Sequence, residues 1–389
     1  MRLLFACGGT AGHINPALAV ADLVRQRHPS AEILFVGAHG GMECDLVPRA
    51  GYEIKTIHIS SLKHSLKPSA IKHNGKVLFA MARSLREARD ILKTFMPDAA
   101  LGTGGYASYP VLREAARMGI PTAVHESNAL PGLTTKLLAR RADRMLISFE
   151  EARRAYRRPE RVVLTGTPVR SAFFLTNKAE ARAALGLDPG KPVLLSCFGS
   201  LGARDMNRFL VDFIAREAKE NTFQHIHATG RFGWAWMPGE IEKNAECGMR
   251  NVELRPGNTE LRIQNTDIRL TEYIYDMPTV MAAADLLITR AGASTLAELM
   301  AAGKPAILVP SPNVTGNHQE KNARALSEHG AALLLRESEC SGGKLYTQVK
   351  QLLTDREQLS RMEKQLRQMA VLDAAEKIYS ILMEIKKKP

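Results

Sequence analysis

The chain has 389 residues, 45% hydrophobic and 24% charged, which excludes a disordered protein and allows two domains with separate cores. Its 53 Lys and Arg against 40 Asp and Glu leave a net charge of +13, which attracts polyanions such as nucleic acid, an anionic lipid surface or a phosphorylated substrate. Five scattered cysteines (Cys7, Cys44, Cys197, Cys247 and Cys340) with no Cys-x-x-Cys pair argue against a disulfide framework or a zinc site and suit a reducing cytoplasm.

Residues 1–7 are mostly apolar but stop at a glycine pair, too short for a signal-peptide core, and no run of about 18 apolar residues follows anywhere. A cytosolic protein without a bilayer span is expected. Leu3-Leu4-Phe5-Ala6 reads as a first strand running into Gly8-Gly9-Thr10-Ala11-Gly12-His13. A helix should follow, with Asn15 as N-cap, Pro16 at its first position, and Ala17, Leu18, Val20 and Leu23 on its buried face. Ile33-Leu34-Phe35-Val36-Gly37 is the second strand. In the next stretch Lys63, Lys67, Lys72, Lys76, Arg83, Arg86, Arg89 and Lys93 face only Glu87 and Asp90. Ile71, Val77, Leu78, Phe79, Met81 and Leu85 are interleaved, several at helical steps. Such a basic amphipathic helix either lies on an anionic surface or packs on a core with a solvated basic face.

Ala99-Ala100-Leu101-Gly102, Ile120-Pro121-Thr122-Ala123-Val124 and Met145-Leu146-Ile147 continue the strand series. Short apolar strands alternating with helices imply a parallel, doubly wound sheet covered on both faces. The pattern restarts at residues 192–198, a buried strand ending in Gly199-Ser200-Leu201-Gly202-Ala203. Residues 231–267 suggest an inserted hairpin, from the polar alternation around Val252, Leu254, Leu261 and Ile263. Leu286-Leu287-Ile288-Thr289 and Ala306-Ile307-Leu308-Val309-Pro310 are further strands, and the last segment is charged and helical. The expected architecture is α/β, with two Rossmann-like domains over residues 1–165 and 166–360 and a helical segment, 361–389, packing back toward the first.

In parallel α/β sheets ligands collect beyond the carboxyl ends of the strands, where unpaired amides and helix dipoles favour negative charge. Three Gly-rich turns occupy such places: residues 8–13, 102–106 and 199–203. Each is equally well explained as a tight turn needing positive φ. A fourth candidate, Thr289-Arg290-Ala291-Gly292-Ala293-Ser294-Thr295-Leu296-Ala297-Glu298, also follows a strand and opens a helix. Thr295 and Glu298 have capping-box spacing, while the functional alternative gives Glu298 the hydroxyls of a ribose. There is no Asp-x-Asp, no Gly-x-Ser-x-Gly and no His-Glu-x-x-His, so a metal bridge to a diphosphate has no obvious ligands of that kind.

Seven segments in order resemble glycosyltransferase family 28, specifically its bacterial peptidoglycan enzymes of the GT-B fold. They are Gly8-Gly9-Thr10-Ala11-Gly12-His13-Ile14-Asn15-Pro16, Gly104-Gly105-Tyr106, His125-Glu126-Ser127-Asn128, Gly166-Thr167-Pro168-Val169-Arg170, Gly199-Ser200-Leu201-Gly202-Ala203, the stretch 290–298, and Asn317-His318-Gln319-Glu320-Lys321-Asn322-Ala323. The resemblance implies two Rossmann-like domains facing across a cleft, and transfer of N-acetylglucosamine from UDP-GlcNAc to a polyprenyl-diphosphate-linked muramyl-pentapeptide, inverting the anomeric carbon. It places Thr10, Ala11, Gly12 and Asn128 by the transferred sugar and the acceptor diphosphate. Arg170 and Ser200 would contact UDP, Ile274 the uracil edge, and Ala293, Ser294, Thr295, Leu296, Ala297 and Glu298 the sugar, diphosphate and ribose. Gln319 would hold the sugar hydroxyls, and Gly104, Gly105 and Tyr106 the acceptor.

His13 is the first candidate for the catalytic base, because imidazole titrates near neutrality, and Glu126 the second, or the residue that orients His13 or Asn128. Tyr106 better positions the acceptor than takes a proton. Ala11, Phe198, Ser127 and Gly316 depart from the commoner family pattern, and Phe198 adds bulk near a phosphate turn. No resident metal or other cofactor is expected. The implied partners are UDP-GlcNAc, the lipid-linked acceptor, the anionic inner-membrane surface at its cytoplasmic face, and other wall-synthesis proteins. No zinc finger or RNA-recognition signature accompanies the charge, so nucleic acid is not expected. Another lipid acceptor, a UDP-GlcNAc epimerase and a nucleotide-sugar-binding scaffold remain as alternatives.

Overall fold

The computed structural model describes residues 1–59, 68–128, 130–245, 248–255, 258–314 and 317–386, with the side chains of 68–79, 151, 249–255 and 258–259 left aside. The chain divides into two compact units, Met1–Arg170 with Val371–Pro389, and Ser171–Ala370. The division thus falls a few residues after the expected 165/166, and the helix Arg356–Met369 stays with the second unit.

The first unit holds seven strands: β1 (Arg2–Ala6), β2 (Glu32–Ala38), β3 (Glu53–Ile57), β4 (Ala99–Gly102), β5 (Thr122–Glu126), β6 (Arg144–Ile147) and β7 (Val162–Leu164). They form one parallel sheet in the order β3-β2-β1-β4-β5-β6-β7. Its inner strands are mostly apolar because helices cover both faces, whereas the edge strand β3 exposes Glu53 and Lys55. Leu3, Phe5, Phe35 and Leu101 point to one side, packed on Ile14, Ala17, Val20 and Val24 of the helix Ala11–Arg27. Leu4, Ala6, Leu34 and Val36 point to the other, toward Leu92, Val111, Leu112 and Ala115. The helix Ala374–Ile385 belongs to this unit and adds Ile378, Ile381 and Leu382 to the first face.

The second unit holds β8 (Val193–Cys197), β9 (Gln224–Ala228), β10 (Met249–Arg255), β11 (Asn258–Ile263), β12 (Ile268–Thr271), β13 (Leu286–Thr289), β14 (Ala306–Leu308) and β15 (Leu333–Leu334). Their order is β10-β11-β12-β9-β8-β13-β14-β15, parallel except where β11 pairs antiparallel with β10 and β12. The expected hairpin is therefore β10–β11, but the segment before it is helical, at Arg231–Trp234 and Met237–Ala245. A core of Leu194, Leu210, Phe213, Ile214, Ile288 and Leu345 lies under the helices Arg204–Glu220 and Gly342–Thr354.

Two helix starts differ from the sequence expectation. The first helix begins at Ala11 with Thr10 as N-cap, so Pro16 lies inside it. Thr10 O accepts both His13 N–H (3.0 Å) and Ile14 N–H (3.3 Å), so the chain is helical straight out of the glycine turn. In the second unit Gly292 is the N-cap of Ala293–Ala302, which puts Thr295 and Glu298 inside the helix and removes the capping box.

The basic stretch forms the helix Pro68–Phe95. Lys63 and Lys67 lie outside the described residues, as do the side chains of Ile71, Lys72, Lys76, Val77, Leu78 and Phe79. In the remaining half Ser84, Ala88 and Leu92 are buried at four-residue steps, a core-facing stripe. Arg83 pairs with Glu87 and Arg89 with buried Glu114, while Arg86 and Lys93 are exposed. No described helix is long and apolar enough to cross a membrane.

Candidate functional site

Each sheet changes direction once beside its first strand, and ligands in such sheets lie beyond that point. In the first unit the reversal separates β1 from β4, whose following loops are residues 7–10 and 103–107. In the second it separates β8 from β13, followed by residues 198–203 and 290–292. All four Gly-rich candidates are thus at switch points.

In the first unit two glycine turns lean on one another. A Cβ at Gly105 would stand 2.1 Å from Gly8 O, and one at Gly104 would stand 2.6 Å from His13 Nδ1. Both have positive φ, 79° and 107°, so glycine is required on two counts. His13 and Thr103 are tied reciprocally: Thr103 Oγ1 donates to His13 O (2.6 Å) and His13 Nδ1 donates to Thr103 O (3.1 Å). A carbonyl only accepts, so Nδ1 carries the hydrogen and, in the neutral ring, Nε2 carries the lone pair. Tyr106 is half-buried, and its phenol is held above the ordinary range, first by burial and then by the nearby Glu43 carboxylate.

Glu126 ends β5 almost completely buried. Its Oε1 accepts Asn128 N–H (2.9 Å) and Asn128 Nδ2 (3.0 Å), and its Oε2 accepts Gly132 N–H (2.9 Å) and Thr135 Oγ1 (2.6 Å). Four donors on one carboxylate occupy both of its oxygens and fix the loop carrying Asn128. Neighbouring His125 is fully buried, donating Nε2–H to Gly166 O (3.0 Å), and burial lowers its pKa to about 4. Ser127 is buried too, with Oγ 3.3 Å from His125 Nδ1, so this departure from the family pattern faces inward. Arg170 stands apart from these groups, exposed and paired with Asp22 at 3.2 Å.

In the second unit the start of Ala293–Ala302 lacks a side-chain cap, which makes its first amides a natural anion seat. Ser294 and Thr295 are half-buried, whereas Ala293, Leu296, Ala297 and Glu298 are buried. The 199–203 turn is pressed onto the end of β9, since a Cβ at Gly202 would be 2.2 Å from Thr229 O. Ser200 O accepts Arg231 N–H, and Ser200 itself is half-buried. Ile274 is buried, and Gln319 Oε1 accepts Ser311 N–H (2.8 Å). Phe198 is buried in the core, its ring 5.8 Å from the Arg290 guanidinium. Arg290 in turn pairs with Glu337 and donates to Val309 O (3.0 Å), so the bulk of Phe198 turns inward. Gly316 lies outside the described residues. Among the described residues no three His, Cys, Asp or Glu are grouped to hold a metal.

The structure therefore gathers His13, the 104–106 turn and Thr103 in the first unit, and the 199–203 turn with the 293–298 helix start in the second. The sequence reading missed Glu43, a fully buried carboxylate behind the first glycine turn. Its signal was an acidic residue directly after Gly40-Gly41-Met42, in the loop that follows a predicted strand.

Two family models match the chain: the glycosyltransferase family 28 N-terminal domain over residues 3–147 and the C-terminal domain over residues 193–378. A protein of Acetivibrio thermocellus described as UDP-N-acetylglucosamine--N-acetylmuramyl-(pentapeptide) pyrophosphoryl-undecaprenol N-acetylglucosamine transferase is 41% identical over 387 residues, covering 100% of this chain and 99% of its own. The crystal structure of Acinetobacter baumannii MurG aligns with a TM-score of 0.68 at 25% identity, over 98% of this chain and 99% of that one. A UDP-GlcNAc 2-epimerase from Neisseria meningitidis aligns at 0.64 with 14% identity, over 99% and 100% of the two chains, and shares the fold alone.

Proposed function

The chain belongs to glycosyltransferase family 28, and from that membership we propose that it moves N-acetylglucosamine from UDP-GlcNAc to the muramyl 4-hydroxyl of a polyprenyl-diphosphate-linked muramyl-pentapeptide. The observation that carries this reading is His13 on the acceptor-side loops, with Nδ1–H committed to Thr103 O and the lone pair on Nε2. That tautomer is the one a general base needs. The acceptor hydroxyl attacks the anomeric carbon as Nε2 takes its proton, and UDP leaves with inversion. Glu126, saturated by four donors, orients Asn128 rather than taking the proton. The uncapped start of Ala293–Ala302 and the 199–203 turn offset the charge on the leaving diphosphate. Glu298 takes the ribose hydroxyls, Ile274 the uracil edge and Gln319 the sugar.

Turnover on this reading needs no divalent metal, in keeping with the absence of Asp-x-Asp from the sequence. The acceptor's polyprenyl chain stays in the bilayer, so the enzyme works at the cytoplasmic face of the membrane. Exposed Arg86 and Lys93 on Pro68–Phe95 supply attraction to anionic lipid, on the order of 1 kcal/mol for each basic residue near the surface.

The test is UDP release from UDP-GlcNAc in EDTA, with and without a short-chain lipid acceptor. Acceptor-dependent release that falls about 10²–10⁴-fold in His13→Ala supports the reading. Release or isomerisation without acceptor indicates a hydrolase or epimerase, and donor binding without turnover returns the scaffold alternative.

A further inference from the structure

Glu43 opens the short helix Glu43–Arg49, yet its side chain turns away from that helix and is fully buried. Its two oxygens are taken by main-chain amides from two different loops. Oε1 accepts Ala38 N–H at 2.7 Å, at the end of β2, and Oε2 accepts Gly9 N–H at 3.2 Å, in the turn after β1. Three glycines make room for it. A Cβ at Gly8 would stand 2.3 Å from Oε1, one at Gly37 2.3 Å from Cγ, and one at Gly41 2.5 Å from Oε2. A side chain at any of the three would press on the Glu43 side chain.

The contacts continue outward from there. Gly8 O lies under Gly105, the Tyr106 ring lies over Gly9, and Gly104 lies against the His13 imidazole. One buried carboxylate thus fixes the turn on which the 104–106 loop rests, and that loop fixes the ring of His13. The same side chain takes up the Gly9 amide, which is then not offered to a ligand.

We propose that Glu43 is a positioning residue for acceptor turnover, joining the loops after β1 and β2 so that Tyr106 and His13 stand where the acceptor hydroxyl is activated. The proposal rests on the transferase reading above. E43Q keeps the shape and one accepting oxygen but turns an amide NH₂ toward the other backbone N–H. A displacement near 1 Å in a reacting group costs about 10²-fold, so kcat for acceptor-dependent UDP release should fall about 10–100-fold. UDP binding, which the proposed function rests on the 199–203 turn and the start of Ala293–Ala302, remote in sequence from Glu43, should not change.

The experiment measures kcat, the acceptor KM and UDP binding for wild type and E43Q, with melting temperature as a check on folding. In parallel, ¹⁵N spectra follow the Gly9 amide and the two His13 ring nitrogens. A loss in kcat with intact UDP binding, and Gly9 and His13 resonances moving together, is the expected result. A folded E43Q with wild-type kcat overturns the proposal, as does a Gly9 shift with the His13 ring unmoved, or a loss of UDP binding in step with activity. Should E43Q fail to fold, Gly41→Ala, which drives a methyl group onto Oε2, replaces it with the same outcomes. If the wild type itself shows no acceptor-dependent release, the transferase reading fails while the spectra still decide whether Glu43 positions His13.

Discussion

Replacing Gly104 by Ala isolates the geometry of His13. The new Cβ would lie 2.6 Å from Nδ1 and 2.8 Å from Cε1, and ordinary contact begins at 3.4 Å. The ring must therefore retreat by about 0.8 Å, which breaks the 3.1 Å bond from Nδ1 to Thr103 O. A retreat of that size should lower kcat about 10–100-fold. The backbone adds a separate effect: φ at Gly104 is 107°, and holding an L-residue in so sparsely populated a region costs about 1–3 kcal/mol of stability. Gly119→Ala separates the two effects. Its φ is 69° with nothing within 4 Å of the added Cβ, so it carries backbone strain without the collision. Steady-state UDP release well below both melting temperatures, paired with denaturant unfolding, makes the comparison. Both variants should lose stability, and only Gly104→Ala should lose kcat. If the two keep the same kcat, the orientation of the His13 ring does not matter to turnover.

Stability should fall in mild acid. Burial lowers the pKa of His125 to about 4 and of His227 to about 3, and holds that of His225 well below its ordinary 6.5. The unfolded chain then binds more protons, so the stabilisation is complete above about pH 6.5 and is lost below it at roughly 1.4 kcal/mol per pH unit per histidine. Denaturant unfolding at pH 7 and pH 5.5 checks this, and equal stabilities would contradict it. Arg182→Met should cost about 1–3 kcal/mol, because Arg182 pairs with Asp285 (2.5 Å) and donates to Ala283 O and Pro189 O, while Lys178 and Val193 N–H still hold the Asp285 carboxylate. A loss below 1 kcal/mol by the same assay, on the order of a surface pair, would refute that weight. Thr135→Val removes the 2.6 Å donor to Glu126 Oε2 and should cost about 1.5–3 kcal/mol while loosening the loop of Asn128. Unchanged unfolding and unchanged acceptor KM would show the hydroxyl to be dispensable.

The central strands were legible because a strand buried on both faces is mostly apolar, while the edge strand β3, with exposed Glu53 and Lys55, and β9, which buries Gln224, His225 and His227, were not read. Leu3–Ala6 serves both cores, Leu3 and Phe5 on one side and Leu4 and Ala6 on the other. Helix starts were less legible, since Asn15-Pro16 and Thr295…Glu298 both carry start signals that the chain does not use. In each case a glycine turn delivers the backbone into helix before the signal arrives. The candidate loops were legible from glycine spacing, but what each glycine excludes was not. Gly104 answers to a histidine 91 residues away in sequence, and Gly8 to Glu43.

The amino-acid order alone determined the two-sheet α/β plan, the loops at the carboxyl ends of the strands and the family. Those follow from local hydrophobic runs and from motifs contiguous in the chain. Only the tertiary structure decided the proton's place on His13, the saturation of Glu126, the inward turn of Phe198 and the contacts of Glu43. Each of these depends on a hydrogen-bond partner or a packing neighbour brought close by sheet topology, and the sequence has no local pattern that records such a meeting.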